Sequence, residues 1–139
     1  MRTSIYTEFL ASLCVAATSD AILRLPAADG RIGLVAREDV ARCLAVCALH
    51  DPVGGALAVT GPQLLQLSDI AALTGSVYRP VSEATFMRHL AGRETPWWSY
   101  AYTSMFASIR EQRWDHITDT VARLTGAAPQ TAADVLSAA

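Results

Sequence analysis

The chain has 139 residues, of which 52% are hydrophobic, and a formal net charge of −2. This length supports the core of one domain, so we expect residues 1–139 to form a single domain. Its eleven basic residues are all Arg and are scattered along the chain, which disfavours a nucleic-acid-binding surface. The absence of Lys excludes a Walker-type phosphate loop, a Schiff-base lysine and a Tyr-x-x-x-Lys catalytic pair.

The apolar runs are too short to predict a membrane span. Arg, Asp, Glu or Pro interrupts each of them well before the roughly 18 residues that a span requires. Glu8 stands in the apolar part of the N-terminus, which disfavours a secretory signal peptide. The three cysteines are an odd number, for which a reducing environment is the simplest setting. We therefore expect a cytoplasmic protein with no membrane partner.

Short strands alternate with helices along the chain, a pattern typical of α/β proteins. A strand ends at residues 3–5, and a helix with apolar residues at 3.6-residue spacing follows it. A turn at Asp29 and Gly30 separates two extended segments. The next predicted helix covers residues 38–49.

The middle of the chain continues this alternation. A strand at residues 57–59 ends at the Gly61-Pro62 turn, because Pro has no N–H to donate to a sheet. The helix after it is predicted to begin with Ser68 as N-cap and to end at Gly75. A further short strand, "SVYRPVS", leads into the C-terminal helices.

Three N-terminal caps predict the helices of the last third. Ser82 precedes one helix, and Thr95 precedes the longest one, predicted over residues 96–110 with Pro at its first position. Two shorter helices follow, the last with Thr131 and Asp134 spaced as a capping box. One stripe of the longest helix carries four apolar side chains: Trp98, Tyr102, Met105 and Ile109.

Two cysteines and a histidine share the helix over residues 38–49. Cys43, Cys47 and His50 have the i, i+4 and i+7 spacing of metal ligands, but no fourth ligand motif accompanies them. They fall on the face marked by Val40 and Leu44, where Cys acts as a small hydrophobic residue. We therefore predict core packing and no metal site.

Other polar residues have structural interpretations. Asp39 lies in a first helical turn beside Arg37, and a helix cap with a local ion pair explains both. His89 and His116 have no evident partner, so we expect them to face solvent. No residue can be named as a catalytic acid or base.

The eight glycines never take the G-x-G-x-x-G spacing of a dinucleotide-binding turn. Five segments in order nevertheless resemble the C-terminal half of the NmrA-like family of atypical short-chain dehydrogenase/reductases. They are "RTSIYTEFL" (2–10), "PAADGRIGLVAREDVA" (26–41), "LAVTGPQLLQLSDIAALTG" (57–75), "VYRPVSEATFMRHL" (77–90) and "LTGAAPQTAADVL" (124–136). The chain departs from the family pattern at Thr3, usually Pro, and at Gln63, usually Glu.

The resemblance implies a fold class and a cofactor. The fold class is α/β, the C-terminal half of a Rossmann-like fold, with short strands and a helical subdomain on the substrate side. Family members carry the Gly-rich dinucleotide-binding half before this part, so we expect that N-terminal half to be missing here. The cofactor, NADP or NAD, is implied by the resemblance alone.

Ligands of open α/β sheets bind beyond the strand ends, and six aromatic residues are predicted there as a substrate site. The alternative is packing between the helical subdomain and the sheet, the commoner role of aromatic stripes. The six are Tyr6, Phe9, Trp97, Trp98, Tyr100 and Tyr102.

Three functions remain open on this evidence. The chain is the substrate-binding half of an NAD(P)-dependent oxidoreductase, a non-catalytic redox-sensing module that binds protein partners, or an inactive remnant. The remnant would expose a sheet edge and an apolar surface where the missing half packed, and such surfaces drive self-association whichever function is chosen. We therefore expect self-association, or a partner that covers this surface.

Overall fold

The computed structural model of the protein describes residues 1–49 and 55–137. Within these ranges the chain forms seven short strands and seven helices. The strands are β1 (Arg2–Thr3), β2 (Thr18–Ser19), β3 (Ile22–Leu23), β4 (Arg31–Ile32), β5 (Ala58–Val59), β6 (Leu65–Gln66) and β7 (Val77–Tyr78). The helices are α1 (Thr7–Ala17), α2 (Arg37–Leu49), α3 (Leu67–Leu73), α4 (Glu83–Leu90), α5 (Pro96–Arg110), α6 (Thr120–Thr125) and α7 (Ala132–Ser137).

The strands form three small sheets. β1 and β5 pair in parallel, with Arg2 opposite Ala58. β3 lies between β2, which is antiparallel to it, and β7, which is parallel. β4 and β6 pair antiparallel. The alternation of strands and helices read from the sequence is confirmed, and the parallel pairs are those that crossover helices produce.

Two clusters of buried side chains make the core. The larger one lies among α1, α3, α4, α5 and the β3 and β4 strands, and Leu10, Leu23 and Phe106 are fully buried in it. The smaller one lies between the β1–β5 pair and the helices α2 and α6. It consists of Val35, Val40, Cys43, Val59 and Val121.

Local capping rules located the starts of three helices correctly. Ser82 Oγ accepts a hydrogen bond from the Thr85 N–H at 3.2 Å, and Thr95 Oγ1 accepts one from the Trp98 N–H at 3.4 Å. Thr131 and Asp134 cap α7 reciprocally, as predicted. These three helix starts are confirmed.

The predicted N-cap of α3 is wrong by two residues. The helix begins at Leu67, and its N-cap is Gln66, not Ser68. The Asp69 carboxylate accepts a hydrogen bond from the Gln66 N–H at 2.8 Å, so the cap is fixed two residues earlier. Leu67, the first residue of the helix, is fully buried. Gly75 ends the helix region with φ +70°, as expected.

The ion pair predicted between Asp39 and Arg37 is not formed. Asp39 is fully buried and pairs with Arg42, one turn later on α2. This hydrogen bond raises the pKa of the Arg42 guanidinium above its ordinary value. Arg37 instead places its guanidinium 5.8 Å from the centre of the Tyr6 ring, within cation–π range. Asp39 keeps a structural role, but the predicted cap is wrong as well: its carboxylate accepts from Arg42 and from the Gln130 N–H, and the Arg37 N–H at the start of α2 donates to Glu8.

The cysteines of α2 differ in burial. Cys43 is fully buried beside Val40, which confirms the core interpretation for this residue. Cys47 is partly exposed, and Leu44 is 52% exposed, so the prediction that Leu44 marks a buried face is wrong. His50 lies outside the described residues. Among those that are described, no group of three His, Cys, Asp or Glu side chains is placed to hold a metal ion.

None of the helices in the described ranges has the length and apolarity needed to cross a bilayer.

Candidate functional site

Four of the six predicted aromatic residues lie together. The Trp98 ring stacks on the Tyr102 ring, with centres 5.4 Å apart and planes inclined at 26°. Phe9 of α1 lies 6.5 Å from Tyr102, and Trp97 lies edge-on to Trp98 at 4.7 Å. We call these four residues, Phe9, Trp97, Trp98 and Tyr102, the aromatic wall.

The aromatic wall is anchored at one end and open at the other. Ile109, at the far end of α5, is fully buried, and Met105 and Tyr102 pack against the same core. The N-terminal turn of α5 extends beyond that core, so Trp98 is 44% exposed and Trp97 is 66% exposed. The predicted stripe of α5 thus runs from the core out to the surface.

The other two predicted site residues lie elsewhere. Tyr6 packs with the smaller core cluster under Arg37, and its backbone bridges Val35. Tyr100 is 68% exposed and lines a shallow groove with Glu83 and Met87. Residues 98 and 102 are one turn apart, whereas residue 100 projects from the opposite side of the helix, so the helical period could have separated Tyr100 from the wall.

Beside the aromatic wall, a pocket opens among α1, α4 and α5. Tyr102 belongs to the wall and also lines the pocket. Three polar side chains stand at the edge of the pocket: His89, Arg93 and Glu94. The sequence analysis placed His89 at a solvent-facing position, which is confirmed, but it missed Arg93 and Glu94. No motif in the sequence indicated them, because the pocket depends on how three helices pack.

A second cavity, of about 430 Å³, lies along the β1–β5 pair. Ser4, Arg113 and His116 are among its lining residues. The Ser4 hydroxyl is buried and has no hydrogen-bond partner among the described residues. A buried hydroxyl without a partner costs about 1–3 kcal/mol, so this position favours a group that would bond to it. Sequence analysis did not single out Ser4.

The turns at Gly30 and Gly61 do not form a phosphate cradle. A side-chain carbon added to Gly61 would lie 2.1 Å from the Leu34 carbonyl oxygen. One added to Gly30 would lie 2.2 Å from the Ile109 carbonyl oxygen. Both glycines therefore allow two segments of this chain to approach closely, and the protein's own backbone occupies the space beside each of them.

One tyrosine outside the aromatic wall, Tyr78, has a pKa that differs from its ordinary value. Burial raises the pKa of Tyr78 to about 12, and its hydroxyl donates a hydrogen bond to the Leu25 carbonyl oxygen at 3.1 Å. A phenol held neutral and engaged with backbone is a structural group and not a poised proton donor. Tyr78 is therefore not a proton donor for the candidate site. The aromatic wall itself can hold a flat ring by stacking.

Neither a protein-family model nor a curated protein sequence matches the chain. Solved structures do. An NADPH-dependent quinone oxidoreductase from Escherichia coli, complexed with NADPH, matches with a TM-score of 0.87 and 23% identity over 99% of this chain and 51% of its own. A nucleoside-diphosphate-sugar epimerase from Staphylococcus aureus matches with a TM-score of 0.83 and 22% identity over 97% of this chain and 50% of its own.

A triphenylmethane reductase from Citrobacter sp., complexed with NADP(H), has a TM-score of 0.83 at 17% identity, over 99% of this chain and 51% of its own. The chain thus spans about half the length of these structures. At such identities the likeness shows the fold, and the predicted α/β class is confirmed. The chain has the fold of about half of a Rossmann-like NAD(P)-binding reductase.

Proposed function

We propose that the chain is the substrate-side half of an NmrA-like NAD(P)-dependent oxidoreductase and binds a flat aromatic substrate on the aromatic wall. One observation carries the proposal: Trp98 and Tyr102 form a stack that reaches from the core to solvent. A planar ring can extend this stack, and each aromatic pair contributes about 0.5–1.5 kcal/mol beyond its buried area.

Two of the similar structures support this substrate class. Their names specify a quinone oxidoreductase and a triphenylmethane reductase; quinones are flat conjugated rings, and triphenylmethanes carry three flat aromatic rings arranged as a propeller. The exposure of Trp97 and Trp98 adds to the argument, because large exposed apolar side chains that lie together mark binding surfaces more often than isolated ones do.

The cofactor is assigned by resemblance, and the described residues do not fit its pyrophosphate. Gly61, in the turn after β5, is packed against Leu34, and the dinucleotide fingerprint is absent from the sequence. The proposed role of this chain is therefore confined to binding the substrate.

Binding of a triphenylmethane dye tests the proposal. Malachite green should bind the wild-type chain saturably, observed as a shift of the dye's absorption. We expect Trp98→Ala to weaken binding about tenfold, which corresponds to about 1.4 kcal/mol. Tyr100→Ala is the matched control, because Tyr100 is an exposed ring on the same helix outside the wall; it should change the affinity less than twofold.

Two results would contradict the proposal: no saturable binding to the wild-type chain, or equal losses in the two variants. Equal losses would indicate non-specific adsorption to exposed rings.

NADPH distinguishes this proposal from a redox-sensing module. A sensor must bind the dinucleotide, and ligand at about a hundred times its Kd raises the stability of the folded state by about 2.7 kcal/mol. We expect no change in the thermal midpoint of this chain with NADPH, because the phosphate cradle does not fit. A reproducible increase would favour the sensor.

We also propose a protein partner, either a second copy or the rest of the fold, on the β1–β5 pair. The support is the lone Ser4 hydroxyl beside a cavity of about 430 Å³ at a sheet of only two strands. Light scattering after gel filtration should give a mass above the 14.8 kDa of one chain. A monodisperse monomer would contradict self-association.

A further inference from the structure

The pocket among α1, α4 and α5 is formed entirely by residues of this chain. Its floor is apolar and buried: Leu25 is 1% exposed, Phe86 is 4% exposed and Phe106 is fully buried. The Phe86 and Phe106 rings meet edge to face, with centres 5.5 Å apart. This floor offers aromatic edges and faces to a bound ring.

Small residues of α1 create the space. Ala16 and Ala17 line one wall, and Leu13 continues it towards the core. The pocket has a volume of about 100 Å³ and opens to solvent. An enclosed apolar cavity of about 150 Å³ holds benzene, so this smaller, open pocket encloses part of one six-membered ring and leaves the ring's polar end at the mouth.

The mouth of the pocket is polar on one side. Arg93 donates to His89 Nε2 at 3.3 Å, because a guanidinium has only donors, and this bond holds Arg93 at the rim. Glu94 stands next to it. Within the described part of the chain, neither Arg93 nor Glu94 takes part in an ion pair, so a donor and an acceptor are both available to a ligand.

We propose that this pocket is a binding site for a single-ring phenol. The ring would lie on Phe86 and Phe106, and the hydroxyl would accept a hydrogen bond from Arg93 and donate one to Glu94. A simple hydrocarbon would leave both rim groups unused, and a carboxylate would face the charge of Glu94. The proposal does not depend on the function proposed for the aromatic wall, since Tyr102 is the one residue that the two sites share.

The probe is 4-fluorophenol, observed by fluorine NMR with the full chain. Its signal should shift and broaden saturably. Ala16→Leu fills the pocket from an exposed position and should weaken binding at least tenfold without unfolding α1. Ala84→Leu is the matched control, because Ala84 is exposed on α4 and does not line the pocket; it should leave the affinity within twofold.

Fluorobenzene tests the polar rim. It has the same ring without the hydroxyl, and we expect it to bind at least fivefold more weakly than 4-fluorophenol. Arg93→Gln should reduce this preference to less than twofold and leave fluorobenzene binding unchanged.

Three outcomes would overturn the proposal. They are no saturable binding of 4-fluorophenol to the wild-type chain, undiminished binding to a folded Ala16→Leu variant, and equal affinities for the two probes. Circular dichroism of each variant establishes that it is folded. A failure of dye binding to the aromatic wall leaves these measurements unaffected, because they use a different ligand and different variants.

Discussion

The carboxylate of Asp39 accepts a hydrogen bond from the backbone N–H of Gln130, 91 positions further along the chain, at 2.7 Å. Its other oxygen pairs with Arg42. A fully buried acidic side chain on α2 thus ties the loop before α7 to the helix, and joins the C-terminal segment to the smaller core cluster.

Replacing this carboxylate should destabilise the fold. Asp39→Ala removes a fully buried carboxylate that is the partner of the part-buried Gln130 N–H and of the Arg42 guanidinium, and we expect the free energy of unfolding to fall by about 3 kcal/mol. For a chain of this size, that lowers the thermal midpoint by about 10 °C.

Asp119→Ala is the control, because it removes an exposed pair with Arg123 whose side chains are 77% and 57% accessible. It should cost less than about 0.5 kcal/mol. Similar midpoints for the two variants would contradict the role of Asp39 as a tie between distant segments.

Gly30 allows the turn before β4 to touch the end of α5. A methyl group there would lie 2.2 Å from the Ile109 carbonyl oxygen, and backbone cannot rotate away as a side chain can. We expect Gly30→Ala to destabilise the fold by about 3 kcal/mol in urea denaturation.

Gly75→Ala provides the comparison. No atom lies within 4 Å of the added carbon, but φ is +70°. The substitution should therefore lower the free energy of unfolding by about 1 kcal/mol, through backbone strain alone. An equal cost at the two positions would mean that the contact with α5 relaxes freely.

Sequence spacing predicted most interactions within one helical turn and missed those between distant segments of the chain. Thr95, Ser82 and the Thr131–Asp134 pair act within one helical turn, and their caps were found. Asp39 was assigned to its neighbour Arg37, because a contact with Gln130 leaves no local pattern.

In the candidate site too, contacts within one helix were predicted and contacts between helices were not. The i, i+4 spacing placed Trp98 and Tyr102 on one face correctly, and the stack is present. The contact between Phe9 and Tyr102 joins two helices, and the pocket among α1, α4 and α5 joins three, so both depend on packing that one sequence does not encode in its spacing.

Thiol reactivity separates the core role of the cysteines from a metal site. Burial raises the pKa of Cys14 to about 12 and raises that of Cys43 as well, and both side chains are fully buried. At about pH 8 an aromatic disulfide reagent should therefore label one thiol quickly, the partly exposed Cys47, and all three in denaturant.

Cys47→Ser should abolish the fast labelling by the disulfide reagent. Protection of Cys47 by added Zn²⁺ would revive the metal interpretation of α2.

The hydroxyl of Tyr78 gives the fold a dependence on alkaline pH. Its folded pKa of about 12 lies above the value of about 10 in an unfolded chain, so the folded state favours the neutral phenol. The stability from this group is fully present below about pH 10 and is lost as the pH rises through about 12. Burial also raises the pKa of the Cys14 thiol to about 12, so the contribution of Tyr78 must be isolated by comparison with a variant.

Tyr78→Phe lacks the hydrogen bond to Leu25, and we expect it to be less stable by about 1 kcal/mol at neutral pH. The difference from the wild type should stay constant to about pH 9 and then narrow towards about pH 12, because only the wild type loses the phenol's contribution. Urea denaturation at several pH values measures this difference directly. Tyr100→Phe, at a 68% exposed position, should show no narrowing, and parallel stability curves for wild type and Tyr78→Phe would refute the linkage.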